Sequence, residues 1–277
     1  MNNSKNSILL VDPEFDPNTA PDCHLLLKIA GDGFSYAVID KNSKQLKAVF
    51  DQQECEDTVA ELTAALKNDG YLRLPFGKVK VSVYTPNTIT VPDDIFNVQE
   101  IKAYLNFFPE DASEQLHARP FAQFGFTSVF SLEQFLEKTL DSYLANAAKY
   151  EQNAPVLALG AAANGNSLLL DFTAGSFNAL LLDTKRVIFQ NSYSIANAEE
   201  FNYYLLLLIQ ELKLETKEIT LLLSGIVHEN DEIYQCLNKY FNTIYFNLPP
   251  ADDIDHTILD DMPAHYYSSL LALDLCV

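Results

Sequence analysis

Apolar residues in this chain come in short runs separated by Gly, Asp and Asn, and one arrangement of them occurs twice. Residues 25–40, LLLKIAGDGFSYAVID, align without a gap on residues 168–183, LLLDFTAGSFNALLLD. The leucine triplets, the phenylalanines Phe34 and Phe177 and the closing aspartates Asp40 and Asp183 coincide. Each stretch is two apolar runs of strand length around a glycine-containing turn, which predicts a β-hairpin. A third strand is predicted after each hairpin, over residues 45–50 and over residues 186–194. A helical face follows in both places. Val59, Leu62 and Leu66 recur at helical spacing behind Asp57, whose side-chain oxygen can accept from the free N–H groups of a first turn. Phe201, Tyr204, Leu205, Leu208 and Leu212 make a broader stripe, with Asn197 and Glu200 placed as a variant capping box. Residues 79–85 and 219–225 then read as the strand after each helix.

This ordered series of matching elements predicts an α/β protein built from two ribonuclease H-like domains, each with a mixed β-β-β-α-β core. Between the copies the pattern predicts a helix over about residues 94–107, a polar stretch with Pro109 and Pro120, and a helix after Ser131. Leu132, Phe135, Leu136, Leu140, Tyr143 and Leu144 share its apolar face, and Ser131 with Gln134 fits a capping box. The domain change is placed near residues 151–155, giving an N-terminal extension over residues 1–20, a first domain over 21–152 and a second over 153–277. The run VLALGAAANGN reads as a buried strand and a turn. A helix over residues 231–241 and a strand over 243–248, ended by Pro249 and Pro250, continue the second copy.

Composition narrows the function classes. The chain has 277 residues, 48% of them hydrophobic, and carries 18 Lys+Arg against 38 Asp+Glu, a formal net charge of −20. That apolar content suits a large core, and that charge repels phosphate backbones, so nucleic acid is not an expected partner. Only Ile8 to Val11 are consecutively apolar near the start, and the longest run elsewhere, residues 203–209, falls far short of the ~20 residues of a membrane-spanning helix. A cytoplasmic chain without a membrane anchor is expected. Cys23, Cys55, Cys236 and Cys276 include no C-x-x-C pair, so a zinc site is not predicted and the thiols read as reduced and structural.

Two ribonuclease H-like halves in one chain resemble the actin-like ATPase superfamily. More narrowly, RVIFQNSYSIANAEEFNYYLLLLIQELKL, then LLLSG, NKYFNTIYF and AHYYSSLLALDLC, resemble the DUF3822 family of Bacteroidetes. That resemblance spans most of the chain and is strongest over residues 167–277. It implies an actin-like ATPase fold and a bacterial origin, and no activity, since the family's function is unknown. In the superfamily each half has a hairpin whose first strand ends in Asp, with Gly two residues on. Backbone N–H groups there cradle phosphate, and the Asp helps to hold Mg²⁺. Carried onto this chain, the cleft-lining positions are Lys28, Gly31 and Gly33 in the first hairpin, Asp171, Thr173 and Gly175 in the second, and Ser224 and Gly225 after the later strand. Lys28 stands where the first Asp belongs and cannot coordinate a metal. Thr173 stands where Gly is expected, restricting the turn. Of the two adjacent glycines of the adenosine motif one is gone: the chain has Ser224, Gly225 and then the β-branched Ile226. These departures argue against ATP hydrolysis, so no cofactor is predicted and ATP with Mg²⁺ is the minority reading.

Other constellations favour structural roles. Asp40 and Asp183 close their strands where an Asp commonly caps a turn, which weighs against a two-metal nuclease with Asp171. Asp252, Asp253, Asp255, His256, Asp260, Asp261 and His265 mix metal-ligating types without a metal motif's spacing, and no Lys or Arg follows Lys239. That acidic tail suits a basic protein surface better than catalysis. Ser192, Ser194 and Ser224 lack a G-x-S-x-G context. Tyr193, Phe201, Tyr203 and Tyr204 read as core packing, the more informative of the two adjacent tyrosines being the one that faces out. The expected function is a non-catalytic binding or scaffold module with a protein partner. Two alternatives stay open: a divergent nucleotide-binding ATPase or phosphotransferase using Asp171 and the interdomain cleft, and a small-molecule sensor.

Overall fold

Leu25, Leu26 and Leu27, like Leu168, Leu169 and Leu170, are buried on successive residues, so each triplet belongs to a strand covered on both faces. The computed structural model describes residues 6–108, 112–161, 165–248 and 254–277. The chain divides into two compact units, Met1–Ala154 and Pro155–Val277.

In the first unit the strands are β1 (Ser7–Val11), β2 (Cys23–Ile29), β3 (Phe34–Asp40), β4 (Leu46–Gln52), β5 (Lys78–Val83), β6 (Thr88–Pro92), β7 (Ala112–Phe121), β8 (Phe126–Glu133) and β9 (Ala148–Glu151), with helices α1 (Thr58–Asn68) and α2 (Gln134–Tyr143). The main sheet runs β1-β4-β3-β2-β5-β9. β2 pairs antiparallel with β3 and parallel with β5, as the hairpin and the helical crossover through α1 require. α1 starts where Asp57 Oδ1 accepts from Ala60 N at 2.9 Å, and it buries Leu62 and Leu66 against β2, β3 and β5 residues of the core. Asp40 closes its strand by accepting from Asn42 N and Ser43 N at 2.7 and 2.9 Å, the turn role expected of it. The Ser43 bond leads in holding the Asp40 carboxyl below its ordinary range.

The region before α2 departs from expectation. The predicted helix over 94–107 is a 3-10 helix, Val98–Phe107, with no buried residue, and it begins behind Asn97. The polar stretch beyond it supplies β7 and β8, which join β6, on the near side of the 3-10 helix, in a separate sheet ordered β6-β8-β7. Pro120 lies in β7, an outer strand of that sheet, where a missing N–H is tolerated; Pro109 lies outside the described residues. Ser131 does not cap α2. It is a buried residue of β8 whose Oγ donates to Ser113 O at 2.7 Å, and Glu133 caps the helix instead, accepting from Phe135 N and Leu136 N.

A buried ion cluster ties α2 to β7 and β9. Lys149 Nζ reaches Asp141 Oδ1 at 2.5 Å and also contacts Glu137 Oε1, while His117 Nε2 meets Glu137 Oε2 at 3.0 Å. Burial pushes the Glu137 carboxyl up, but the His117 and Lys149 hydrogen bonds outweigh it and hold the group below its ordinary range. Lys149→Met strands a buried carboxylate, so a loss of about 3–5 kcal/mol in urea unfolding is expected. Adding Glu137→Leu should recover most of that loss, and a double variant as unstable as the single one would show that the pair is not the cause.

The second unit holds most of α3 (Asn153–Gly160), then β10 (Asn166–Phe172), β11 (Ser176–Asp183), β12 (Arg186–Ser194), α4 (Ala198–Glu211), β13 (Thr220–Gly225), α5 (Glu232–Tyr240), β14 (Thr243–Phe246) and α6 (Ser268–Ala272). α3 occupies the run expected to be a strand. An uninterrupted apolar stretch has no period to separate the two states, and Gly160 lets this helix sit against Leu169 and Leu182. The sheet runs β12-β11-β10-β13-β14, the same hairpin-then-crossover order as β4-β3-β2-β5-β9. Asn197 Oδ1 accepts from Glu200 N at 2.9 Å, and Glu200 Oε2 accepts from Ala196 N at 2.8 Å, one residue earlier than in the standard capping box. Phe201, Leu205 and Leu208 are buried beneath α4, Tyr204 packs on Tyr193 of β12, and Tyr203 is the outward tyrosine.

Candidate functional site

The two hairpins place their polar residues at one register. Lys28 of β2 is flanked by Ser35 of β3 and Ser82 of β5; Asp171 of β10 is flanked by Asn178 of β11 and Ser224 of β13. Each turn closes the same way, Ala30 N donating to Gly33 O at 2.8 Å and Thr173 N to Ser176 O at 2.9 Å. Each crossover strand is also tied alike, by Tyr84 N to Ile29 O and Ile226 N to Phe172 O.

In the first unit, Lys28 supplies a positive charge where the superfamily pattern has an acid. One strand beyond Ser35 lies Asp51, which is buried. Burial pushes the Asp51 carboxyl up, against the Gln53 hydrogen bond and the Lys28 charge. Gly31 is exposed, and its carbonyl accepts from Thr58 Oγ1 at 3.0 Å. Gly33 serves packing, because a Cβ there would come within 2.5 Å of Gln52 O.

In the second unit, Asp171 is buried and accepts from Ser224 Oγ at 2.7 Å. Thr173 turns its hydroxyl back onto Ser176 Oγ, 2.7 Å away, and the carbonyl of Gly175 accepts from Ile195 N at 2.8 Å. Gly225 has φ +80°, a conformation that favours glycine, and its N–H donates to His265 O at 2.9 Å. His265 is buried there: its Nε2 lies 2.7 Å from Val227 O, and its ring stacks on Phe246 with centroids 3.9 Å apart. Burial pushes the His265 imidazole below its ordinary value despite the Val227 bond. Asp171, Ser224 and Gly225 therefore come together at the carboxyl ends of β10 and β13, with His265 and Phe246 beside them.

The sequence pattern does not place His265 beside Gly225, nor Phe246 beneath the His265 ring. The contact joins positions about 40 residues apart in sequence, and no local spacing signals it. The acidic tail lends His265 no metal partners among the described residues, where no three His, Cys, Asp or Glu side chains are grouped to hold an ion. Asp255 instead accepts from Thr257 N at 3.0 Å, and Asp252 and Asp253 lie outside the described residues.

Residues 12–244 match a family described as protein of unknown function, DUF3822. The chain belongs to that family. Among solved structures, this DUF3822 chain is similar to a Bacteroides thetaiotaomicron protein with an actin-like ATPase fold and unknown function. The TM-score is 0.73 at 14% identity, over 95% of this chain and 99% of that one. It is also similar to a chain of the PilM–PilN type IV pilus biogenesis complex, with TM-score 0.58, 14% identity and coverage of 91% and 97%. A third is the ethanolamine utilization protein EutJ from Carboxydothermus hydrogenoformans, with TM-score 0.53, 7% identity and coverage of 97% and 93%. At these identities the likeness shows the fold, which is that of the actin-like ATPases. No curated protein matches the sequence. No helix among the described residues is long and apolar enough to cross a membrane.

Proposed function

We propose that this DUF3822 protein is a non-catalytic actin-like-fold binding module that holds a protein partner in the cytoplasm of a Bacteroidetes cell. The observation that carries this reading is the bond from Gly225 N–H to His265 O. It sets the chain's own segment around His265 against the glycine whose bare backbone, in the superfamily pattern, the base and ribose of adenosine lie on. The neighbouring groups agree with it. Ser224 engages Asp171, and Thr173 and Ser176 engage one another. Lys28 is a cation at the position of a metal-holding acid. This donor set does not fit a magnesium nucleotide, and no chemical step is assigned to one. The solved PilM–PilN complex lends the fold a precedent for assembly with another protein. The net charge of −20 favours a basic partner surface.

Thermal unfolding with and without ATP and Mg²⁺ tests the reading, because a ligand of the native state must raise the melting temperature. No shift is expected. A rise of several degrees that Asp171→Ala abolishes would overturn the proposal in favour of a nucleotide-dependent enzyme or sensor.

A further inference from the structure

The two sheets differ at one edge. In the first, β4 carries β1 along its outer side, with Val11 opposite Ala48, Leu10 opposite Val49, Leu9 opposite Phe50, Ile8 opposite Asp51 and Ser7 opposite Gln52. β1 begins its pairing beside a bulge. Val38 pairs with Ala48 and Ile39 with Leu46, so Lys47 is the extra residue. The second sheet has the same bulge, because Leu181 pairs with Phe189 and Leu182 with Val187, leaving Ile188 extra. β12 thus matches β4 residue by residue, Ile188 standing for Lys47 and residues 189–193 for the stretch that β1 covers. Among the described residues β12 is the outermost strand of its sheet. β4, behind β1, buries Leu46, Ala48, Val49 and Asp51, whereas no residue of β12 is fully buried.

The backbone along that edge is set for pairing. Lys47 O accepts from Asp12 N and Gln53 N donates to Asn6 O, so the odd-numbered residues of β4 bond outwards to β1. By the same alternation Ser192 and Ser194 turn their backbone groups to the outer side of β12. Natural edges are blunted by charge, proline or brevity. The bulge blunts residues 186–188, but the six residues after it, FQNSYS, contain neither charge nor proline.

We infer that the outer edge of β12 takes an extended, basic and apolar segment of a protein partner, paired antiparallel as β1 pairs with β4. Charge complementarity chooses this occupant. Tyr204 of α4 packs on Tyr193 of β12, ring centroids 4.8 Å apart, so the flank of α4 on that side borders the strip an added strand would cover. Helical spacing puts Glu200, Leu207 and Glu211 on the same flank as Tyr204, and α4 contains no Lys or Arg. Two copies pairing through β12 would bring these acidic flanks together, which disfavours a second copy. The bulge residue adds specificity. Lys47 Nζ binds Asp12 Oδ2 at 2.8 Å beside β1, but its counterpart Ile188 is 47% exposed and calls for an apolar neighbour.

This inference deepens the binding-module reading and rests on it. A labelled synthetic peptide of residues 6–13 carrying Asp12→Leu, with lysines added at both ends, is the probe for titration and hydrogen exchange of the full chain. Binding is expected, with slowed exchange in β12, and about tenfold weaker binding in Ile188→Lys and in Ser192→Pro, which lose the apolar contact and an outward donor. Ile188 is half exposed, and Ile188→Lys introduces the residue type that β4 carries at the matching position, so it should fold even if Ser192→Pro does not. Absence of binding to the intact chain, equal affinity in Ile188→Lys, or self-association that Ile188→Lys abolishes would each overturn the inference. Failure with a melting temperature still indifferent to ATP removes this edge and leaves the binding-module reading standing, whereas a nucleotide-induced rise removes that reading itself.

Discussion

Gly225→Ala is expected to unfold the second unit. A Cβ at this position would lie 2.0 Å from Phe172 O and 2.8 Å from Phe172 N, and φ is +80°. The left-handed conformation alone costs a non-glycine residue about 1–2 kcal/mol. The contact costs more, because the obstacle is the backbone of β10, paired with β13 at that residue, and it cannot retreat without opening the ladder. A combined loss above about 4 kcal/mol belongs to the rare severe class of substitutions and is comparable to the whole stability of many domains. Urea unfolding followed by near-ultraviolet circular dichroism measures it. Gly31→Ala is the control: its Cβ would approach nothing closer than the Tyr84 ring at 3.7 Å, so a change within about 0.5 kcal/mol is expected. A Gly225→Ala protein within 1 kcal/mol of the parent would refute the argument. The glycine that resembles half of an adenosine motif is, on this account, required by the close approach of two strands.

The strands and helices that could be read from the residues are those with a repeated or periodic signal. The hairpins, β12, α1, α4 and β13 lie where alternation and helical spacing put them, because each buries one regular pattern against the same core. What escaped had no such signal. β1 is a five-residue strand held mainly by its ladder with β4, its residues Ile8 and Leu9 still half exposed, so burial leaves little trace in its sequence. Ser131 and Gln134 satisfy a capping pattern equally well inside and outside a helix start, and only the pairing of β8 with β7 decides between them. The candidate site divides the same way. The erosion of the phosphate-binding pattern is visible in Lys28, Thr173 and Ile226 as residue types. The groups that engage what remains, Ser224 on Asp171 and His265 on Gly225, depend on strand pairing and on a distant segment, which no local pattern encodes.

A stability that falls as pH rises from about 4.5 to about 7 is the second large effect expected. Glu151 ends β9 and is fully buried, and burial pushes its carboxyl from 4.5 up to about 7. The opposing contributions come from the backbone and side chain of Asn153, whose N–H donates to Glu151 Oε2 at 2.8 Å, and no cation is among them. Glu137, with Lys149 and His117 against it, is held low instead. The sign follows from proton release. Below 4.5 the Glu151 carboxyl is protonated in folded and unfolded chains alike, and its full contribution is present. Between the two values the unfolded chain ionises while the folded one stays protonated, so rising pH favours unfolding until the folded group ionises near 7. The difference amounts to about 3 kcal/mol. Glu137 acts at the other end, its contribution being lost only as the solution becomes acidic enough to protonate it in the fold. Glu151→Gln keeps an acceptor for Asn153 and removes the ionisation. It is expected to leave stability at pH 4.5 nearly unchanged and to raise it by about 3 kcal/mol at pH 8, flattening the decline in urea unfolding across that range. Parallel curves for the two proteins would mean that Glu151 is already ionised in the fold, and that the desolvation assigned to it is compensated by a group other than Asn153.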